Sequence, residues 1–447
     1  MVIGDLLRKL YGNGVVLANL RGQRRLPYLP EEELHALRDQ RLRKMVRYAV
    51  ATVPYYRRVF QAQRIDPRDI YSVDDLAQLP LIDKQTVRET PELFVSTSRQ
   101  GRKSIPFLTS GSTGIPLQVY HDSYSLLANI AFGERERAVV TNLCNTSLGY
   151  KEAYIFYAGS IGERVRRLYE QRTFIPVRPQ RLSLSILSPI EDIVQAINHF
   201  RPDVIISYGS YLETLFRLLH LRQLQMHLPQ ALIYASDAMT SYGRRFIEEN
   251  FALPVLSRYS AAEAFKIGFV CEERKAFHLH ADLCHLKIVD QSGEQVADGE
   301  RGEVVISNLI NRGTVLLNYR LGDLAVISPQ HCSCGRTLPL LADLEGRVED
   351  TIFLPDGEFI HPRAVWAVFK QKPQVLRYQL IQQTPQRFEL KLVTVDRATY
   401  DVVLDNILTQ LRQLLGDGIS LKSSYYPTLD PPPTGKFRSV IALPQQE

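Results

Sequence analysis

With 447 residues, 45% of them hydrophobic and 23% charged, the chain is long enough for two or three domains and has the makeup of a globular protein. No apolar run approaches the roughly 20 residues of a membrane-spanning helix, and the start, MVIGDLLRKLYGNGVVLANLRGQRR, lacks a secretion signal's apolar core and cleavage site. A net charge of +6, from 54 basic and 48 acidic residues, suits phosphorylated ligands but is too diffuse to argue for nucleic acid. A cytoplasmic chain with no stable membrane insertion and no nucleic-acid partner is therefore expected. Its first segment is read as a docked terminal helix rather than one resting on a surface.

Residues 31 to 60 carry helical spacing that ends near Pro54, and LPLIDKQTVRE follows with Asp83 as a helix N-cap. Residues 105 to 122 read as a hairpin around a loop of glycines and hydroxyls. From about 125 to 255, strand-like runs (AYIFYAG, VIISY, ALIYAS) alternate with helical ones (IEDIVQAINHF, YLETLFRLLHLRQL), which argues for α/β layers. Residues 283 to 328 look all-β. The last hundred residues hold one strong helix, TYDVVLDNILTQLRQLLG, and a polar, proline-rich tail. The fold expected is α/β: a large multi-layer N-terminal domain over residues 1–346, β-rich at about 283–345, and a small α+β domain over 347–447.

Four short motifs carry chemistry. The loop Thr109-Ser110-Gly111-Ser112-Thr113-Gly114 is not a Walker A loop, because no lysine follows, yet its glycines and hydroxyls suit polyphosphate as well as they suit a plain turn. Glu263, in Tyr259-Ser260-Ala261-Ala262-Glu263, follows a strand and could hold Mg²⁺ on a nucleotide or simply cap a helix. Asp323, in Tyr319-Arg320-Leu321-Gly322-Asp323, could accept both hydroxyls of a ribose or be an ordinary turn residue. Lys436, in Pro433-Thr434-Gly435-Lys436, could neutralise a phosphoryl group or be a solvated tail lysine.

Five cysteines in such a chain make no disulfide framework. Cys332 and Cys334, with Cys271 and His278 about 60 residues upstream, offer three thiolates and an imidazole, the set of a closed structural zinc site. His280 is the rival ligand, and Cys144 and Cys284 read as small buried hydrophobes.

Taken together and in chain order, these motifs resemble the adenylate-forming superfamily of acyl-CoA synthetases, nonribosomal adenylation domains and luciferases. YAVATVPYYRRVF, DLAQLPLIDKQTVRE and HCSCGRTLP are similar to its phenylacetate–CoA ligase branch, and the short first hundred residues to the branch's capsular-polysaccharide-associated members. The resemblance implies ATP, Mg²⁺ and CoA as ligands and strengthens the zinc reading. It places Ser110, Ser112 and Thr113 over the ATP phosphates, Glu263 on Mg²⁺, Asp323 on the ribose and Lys436 as the adenylation lysine. Arg347 stands just before the hinge, and Glu349 takes the hinge position of a mobile C-terminal domain. By the same analogy the adenine stacks near Ser236 and Asp237. Tyr154, Phe156, Tyr157, Tyr208, Ser210 and Tyr259 are candidate walls for the acid, although Phe156 is better read as core.

The expected activity is activation of a small-molecule carboxylic acid to acyl-AMP with pyrophosphate release, followed by transfer to CoA. Two departures from the family pattern stand out. Ser260 replaces a glycine, and LPDGEFIHPRAVW lacks the glutamate of the usual Pro-x-x-Ile-Glu segment. Two alternatives stay open: transfer to an amine or sugar acceptor in capsule or cell-envelope biosynthesis, and a silent nucleotide-binding scaffold. A homodimer is left open as well.

Overall fold

A computed structural model describes the chain except residues 1, 99–100, 110–116, 147–148, 157–158, 175–179, 348–351, 355–358, 361, 370–371, 373, 417, 430–437 and 444–447. The chain forms two compact units. One comprises Met1–Gly149, Gly159–Arg178 and Leu256–Leu344; the other comprises Tyr150–Ala158, Pro179–Val255 and Glu345–Glu447.

The first unit opens with helices α1 (Val2–Leu20), α2 (Glu31–Thr52), α3 (Pro54–Gln63), α4 (Lys84–Glu89) and α5 (Pro91–Phe94). Pro54 does more than end one helix. It starts the next, because its fixed φ and missing N–H suit a first helical turn. Asp83 caps α4 as expected, its carboxylate accepting the Thr86 N–H at 2.7 Å. Strands β1 (Ile105–Leu108) and β2 (Gln118–His121) form the expected antiparallel hairpin. Asp122 then caps α6 (Ser123–Phe132) by accepting from Tyr124 and Ser125, and α7 (Glu134–Leu143) follows.

The next segments build the second unit, except for α8 (Ile161–Arg172), which belongs to the first. Strands β3 (Glu152–Phe156), β4 (Arg181–Ser185), β5 (Val204–Ser207) and β6 (Ala231–Ala235) pair in parallel in the order β6-β5-β3-β4. Every residue of β5 is buried, which is why VIISY reads as an unbroken apolar run rather than an alternating one. Helices α9 (Ile190–Phe200), α10 (Gly209–Leu221) and α11 (Ser241–Phe251) connect these strands, and their apolar faces join β5 and β6 in one core.

Returning to the first unit, β7 (Val255–Tyr259), β8 (Gly268–Val270), β9 (Phe277–Leu279), β10 (Cys284–Val289), β11 (Arg301–Asn308), β12 (Tyr319–Ser328) and β13 (Leu340–Arg347) run in the order β10-β11-β12-β13-β9-β8-β7. This is the β-rich region read from the sequence. It begins earlier than residue 283, because β8 and β9 are only three residues each and leave too short a pattern to see.

The C-terminal part holds β14 (Ile352–Phe353), β15 (Phe359–Ile360), α12 (Pro362–Phe369), β16 (Val375–Thr384), β17 (Arg387–Thr394), α13 (Arg397–Leu415), β18 (Ser420–Tyr425) and β19 (Val440–Ile441). It has a hydrophobic cluster of its own, drawn from Ile352 to Ala442 and centred on Leu380, Leu390, Leu392, Ile407 and Leu411. No helix among the described residues is long and apolar enough to cross a membrane.

Candidate functional site

The first unit carries the two carboxylates singled out in the sequence, and each is held by a tyrosine from the other's motif. Tyr259, the last residue of β7, donates its hydroxyl to Asp323 Oδ2 at 2.6 Å. Tyr319, the first residue of β12, lies with its hydroxyl 3.4 Å from Glu263 Oε1. Each motif opens with a tyrosine and closes four residues later on the carboxylate that the other tyrosine reaches. Both tyrosines are buried. Gly322, just before Asp323, takes φ +84, a left-handed conformation that favours glycine.

Glu263 is 6% exposed, and its backbone carbonyl accepts from the Asn308 side chain at 3.0 Å. Among the described residues no lysine or arginine forms an ion pair with it. A buried carboxylate without a protein cation is costly unless something positive sits beside it, so the position fits Mg²⁺.

The glycine–hydroxyl loop is reached only at its base. Thr109 and Leu117 close it: the Thr109 N–H donates to the Leu117 carbonyl at 2.8 Å, and the Leu117 N–H donates to the Thr109 hydroxyl at 2.9 Å. Ser110, Gly111, Ser112, Thr113 and Gly114 lie outside the described residues, as do Lys436, Glu349 and Tyr157. Arg347 ends β13, and its side chain is not described.

The second unit gathers another predicted group. Asp237, two residues past β6, accepts from the Gly209 N–H and the Ser210 hydroxyl, each at 2.5 Å. It therefore caps the start of α10. Burial raises its carboxyl to about 6, against the downward pull of those hydrogen bonds. Ser236 is exposed and takes φ +77, so the chain turns sharply at the strand end where the adenine was expected to stack. Tyr208 is buried edge-on to Phe156, with ring centres 4.9 Å apart. Arg181 lies over the Tyr154 ring at 5.0 Å while its Nε donates to Glu152 at 2.6 Å. Tyr154 is thus a half-buried ring covered by a cation.

The cysteine reading meets a specific geometry. Cys271, His278, Cys332 and Cys334 bring their donor atoms within 4.8 Å of one another. Cys271 Sγ and Cys332 Sγ are 3.7 Å apart, and Cys334 Sγ is 3.4 Å from His278 Nε2. A tetrahedral zinc with Zn–S of about 2.3 Å and Zn–N of about 2.0 Å would set these spacings at about 3.8 and about 3.5 Å. The donors fit the ion. Burial pushes the Cys271 thiol up to about 12, and burial with the nearby Arg336 holds His278 at about 4, so the imidazole is neutral as a ligand must be. Burial raises Cys334 too, but hydrogen bonds from Arg336 outweigh it and favour the thiolate. Arg336 is fixed in turn by two contacts to Glu272, at 2.7 and 3.1 Å.

The rival ligand His280 faces elsewhere. Its Nε2 is 3.4 Å from Glu136 and its Nδ1 is 3.3 Å from Arg135. It belongs to a buried network in which Arg135 forks onto Asp282, and Lys266 and Arg258 both pair with Glu136. Burial raises Glu136 and Asp282, but the cations around each win and hold both well below the usual carboxylate range. Cys144 and Cys284 are buried as expected, the latter with its thiol pushed up to about 12.

Sequence reasoning missed the two tyrosine contacts and Arg336. The tyrosines were in view, each four residues ahead of a carboxylate, but only the fold brings segments 60 residues apart together.

Residues 352–442 match the family model described as the CapK C-terminal domain. A phenylacetate-coenzyme A ligase of Thermus thermophilus is 27% identical over 367 residues, covering 80% of this chain and 80% of that protein. The corresponding ligase of Escherichia coli is 25% identical over 333 residues, covering 72% and 73%. The chain is thus similar over most of its length to phenylacetate-coenzyme A ligases. The solved structure of 2-hydroxyisobutyryl-CoA ligase in its postadenylation state, in complex with 2-HIB-AMP, has the same fold: TM-score 0.72 at 17% identity, over 94% of this chain and 91% of that one. The motifs that carry the adenylate-forming resemblance are those whose tyrosines and carboxylates interlock in the first unit.

Proposed function

We propose that the protein activates a carboxylic acid with ATP and passes the acyl group from the acyl-AMP to the thiol of CoA. The observation that carries this is the interlocked pair, Tyr259 with Asp323 and Tyr319 with Glu263, in a chain whose curated relatives are named phenylacetate-coenzyme A ligases. In the first step a substrate carboxylate oxygen bonds to the α-phosphorus, the bond to the β-phosphate oxygen breaks, and pyrophosphate leaves. No general base is needed, because a carboxylic acid is already ionised at neutral pH. The difficulty is that two anions must meet, so the chain's task is to position and neutralise.

Glu263 would hold Mg²⁺, which offsets the phosphate charge when bound. Asp323, oriented by Tyr259, would hold the ribose, and the hydroxyls around Ser110, Ser112 and Thr113 would donate to the phosphates. Lys436 would approach the α-phosphate. In the second step the CoA sulfur bonds to the acyl carbon, the bond to AMP breaks, and the thiol proton is released. Residues 347–447 would turn about Glu349 between the two steps; the separate core of residues 352–442 supports such a unit. Cys271, His278, Cys332 and Cys334 would hold a structural zinc.

A second reading keeps the first step and changes the acceptor to an amine or sugar of the cell envelope. The CapK C-terminal domain match and the missing glutamate in LPDGEFIHPRAVW favour it. Mass spectrometry of reactions with ATP, Mg²⁺, and aryl, acyl, amino or sugar acids, with and without CoA, separates the readings. Acid-dependent AMP and an acyl-CoA ester support the first. Acyl-AMP that persists in the presence of CoA supports the second. No acid-dependent AMP with any class overturns both.

A further inference from the structure

Helix α1 has two apolar faces, and only one is used. Gly12, Val15, Val16 and Asn19 recur at helical spacing, and the two valines are buried, Val15 in a cluster with Leu127, Ala128 and Phe132. Gly12 sets how close α1 lies to α8: a Cβ there would sit 1.9 Å from the Arg172 carbonyl oxygen. About 150° round the same helix, at 100° per residue, stand Leu6, Leu10 and Leu17. They are 48%, 54% and 62% exposed, and Leu7 and Tyr11 beside them are 62% and 54% exposed. From Gly4 to Leu10 no residue is buried. A helix that packed only inward would carry polar residues on its outer face.

The charges on and just after this helix are mainly basic. Lys9 is on the flank of the stripe, Arg8 precedes it, and Arg21, Arg24 and Arg25 follow the helix end, against Asp5. Lys9 is 3.9 Å from Asp5 and Arg24 pairs with Glu134, whereas Arg21 and Arg25 are exposed and form no ion pair among the described residues. An anionic bilayer offers acyl chains to the leucines and phosphates to the arginines at once.

We propose that α1 docks the protein on an anionic lipid surface, lying in the plane of the interface with Leu6, Leu10 and Leu17 at the acyl boundary and Arg21 and Arg25 among the headgroup phosphates. The attachment is peripheral and reversible, because one apolar stripe of this length anchors weakly without the electrostatic contribution.

The test is co-sedimentation of the full chain with vesicles of equal parts phosphatidylglycerol and phosphatidylcholine, and with phosphatidylcholine alone. The protein should pellet with the anionic vesicles, several-fold less with the neutral ones, and less as salt rises. Replacing Leu6, Leu10 and Leu17 together by Asn should cut binding about tenfold or more, while the melting temperature stays put because all three are exposed. Arg21→Gln with Arg25→Gln should weaken binding and flatten its salt dependence. Failure of the wild type to bind, or binding that the leucine substitutions leave intact, overturns the proposal. So does a wild-type dimer that those substitutions convert to a monomer, with no vesicle binding, since the stripe would then belong to a second copy.

Discussion

A hydroxyl donated to a carboxylate at 2.6 Å, as Tyr259 does to Asp323, is a charge-assisted bond, worth about 1.5–3 kcal/mol when one partner is removed. Tyr259→Phe keeps the buried ring and deletes only that bond. If Asp323 must be held in place for the ribose, kcat/KM for ATP should fall about tenfold or more, mostly through KM, alongside a drop of a few degrees in melting temperature from the lost bond. An unchanged KM would mean that Asp323 does not depend on Tyr259. At this scale the sequence was half legible: the carboxylates and tyrosines could be picked out by motif, but which tyrosine served which carboxylate needed the fold.

Buried histidines make a second residue-scale prediction. Burial depresses His121 and His280 to about 4, and the partial burial of His285 depresses it to about 3. Each stays neutral in the fold and takes up a proton more readily in the unfolded chain, near pH 6.5. The unfolded state therefore binds more protons between about pH 6.5 and 4, and stability should fall as pH drops through that window. The slope should approach about 1.4 kcal/mol per pH unit for each histidine. Urea unfolding at a series of pH values measures it, and His121→Gln should reduce the slope by close to one proton. A flat profile over this range would contradict the burial assigned to these rings.

At the scale of elements, the thiol–imidazole cluster ties short pieces together. Cys271 directly follows β8, His278 lies in β9, and Cys332 and Cys334 lie between β12 and β13. Strands of three residues have little pairing energy of their own, so a metal clip there would contribute stability directly. Protein purified without chelator should contain about one zinc per chain. Its removal by a chelator, or Cys332→Ser, should lower the melting temperature by several degrees, as a loss of about 1–2 kcal/mol would. Zinc well below one per chain would overturn the assignment. The same elements show where reading a sequence stops. Parallel strands such as β5 announced themselves as apolar runs, and Asp83 announced a helix start. Strands β8 and β9 did not, because three residues carry no period. The candidate cysteines and His278 were legible by type and spacing, with His280 left as the rival; the fold turns the first imidazole toward the thiols and the second toward Glu136 and Arg135.

At the scale of the whole molecule, the order of motifs along 447 residues points to an adenylate-forming enzyme, and a phenylacetate-coenzyme A ligase is similar to the chain over about four-fifths of its length. The acid was not legible. Its expected walls are aromatics such as Tyr208 and Phe156, which pack against each other and fill core space as readily as they line a pocket. In the proposed reaction the hydroxyl loop and Lys436 would act on bound ATP, and their place in the sequence carries that reading. Exchange of labelled pyrophosphate into ATP, run with Mg²⁺ and the panel of carboxylic acids, tests the central claim most directly, because it reports acyl-AMP formation whatever the acceptor. We predict exchange that requires one class of acid and falls about a hundredfold or more in Glu263→Gln and in Lys436→Ala. Exchange that needs no acid, or that survives both substitutions, would contradict the account.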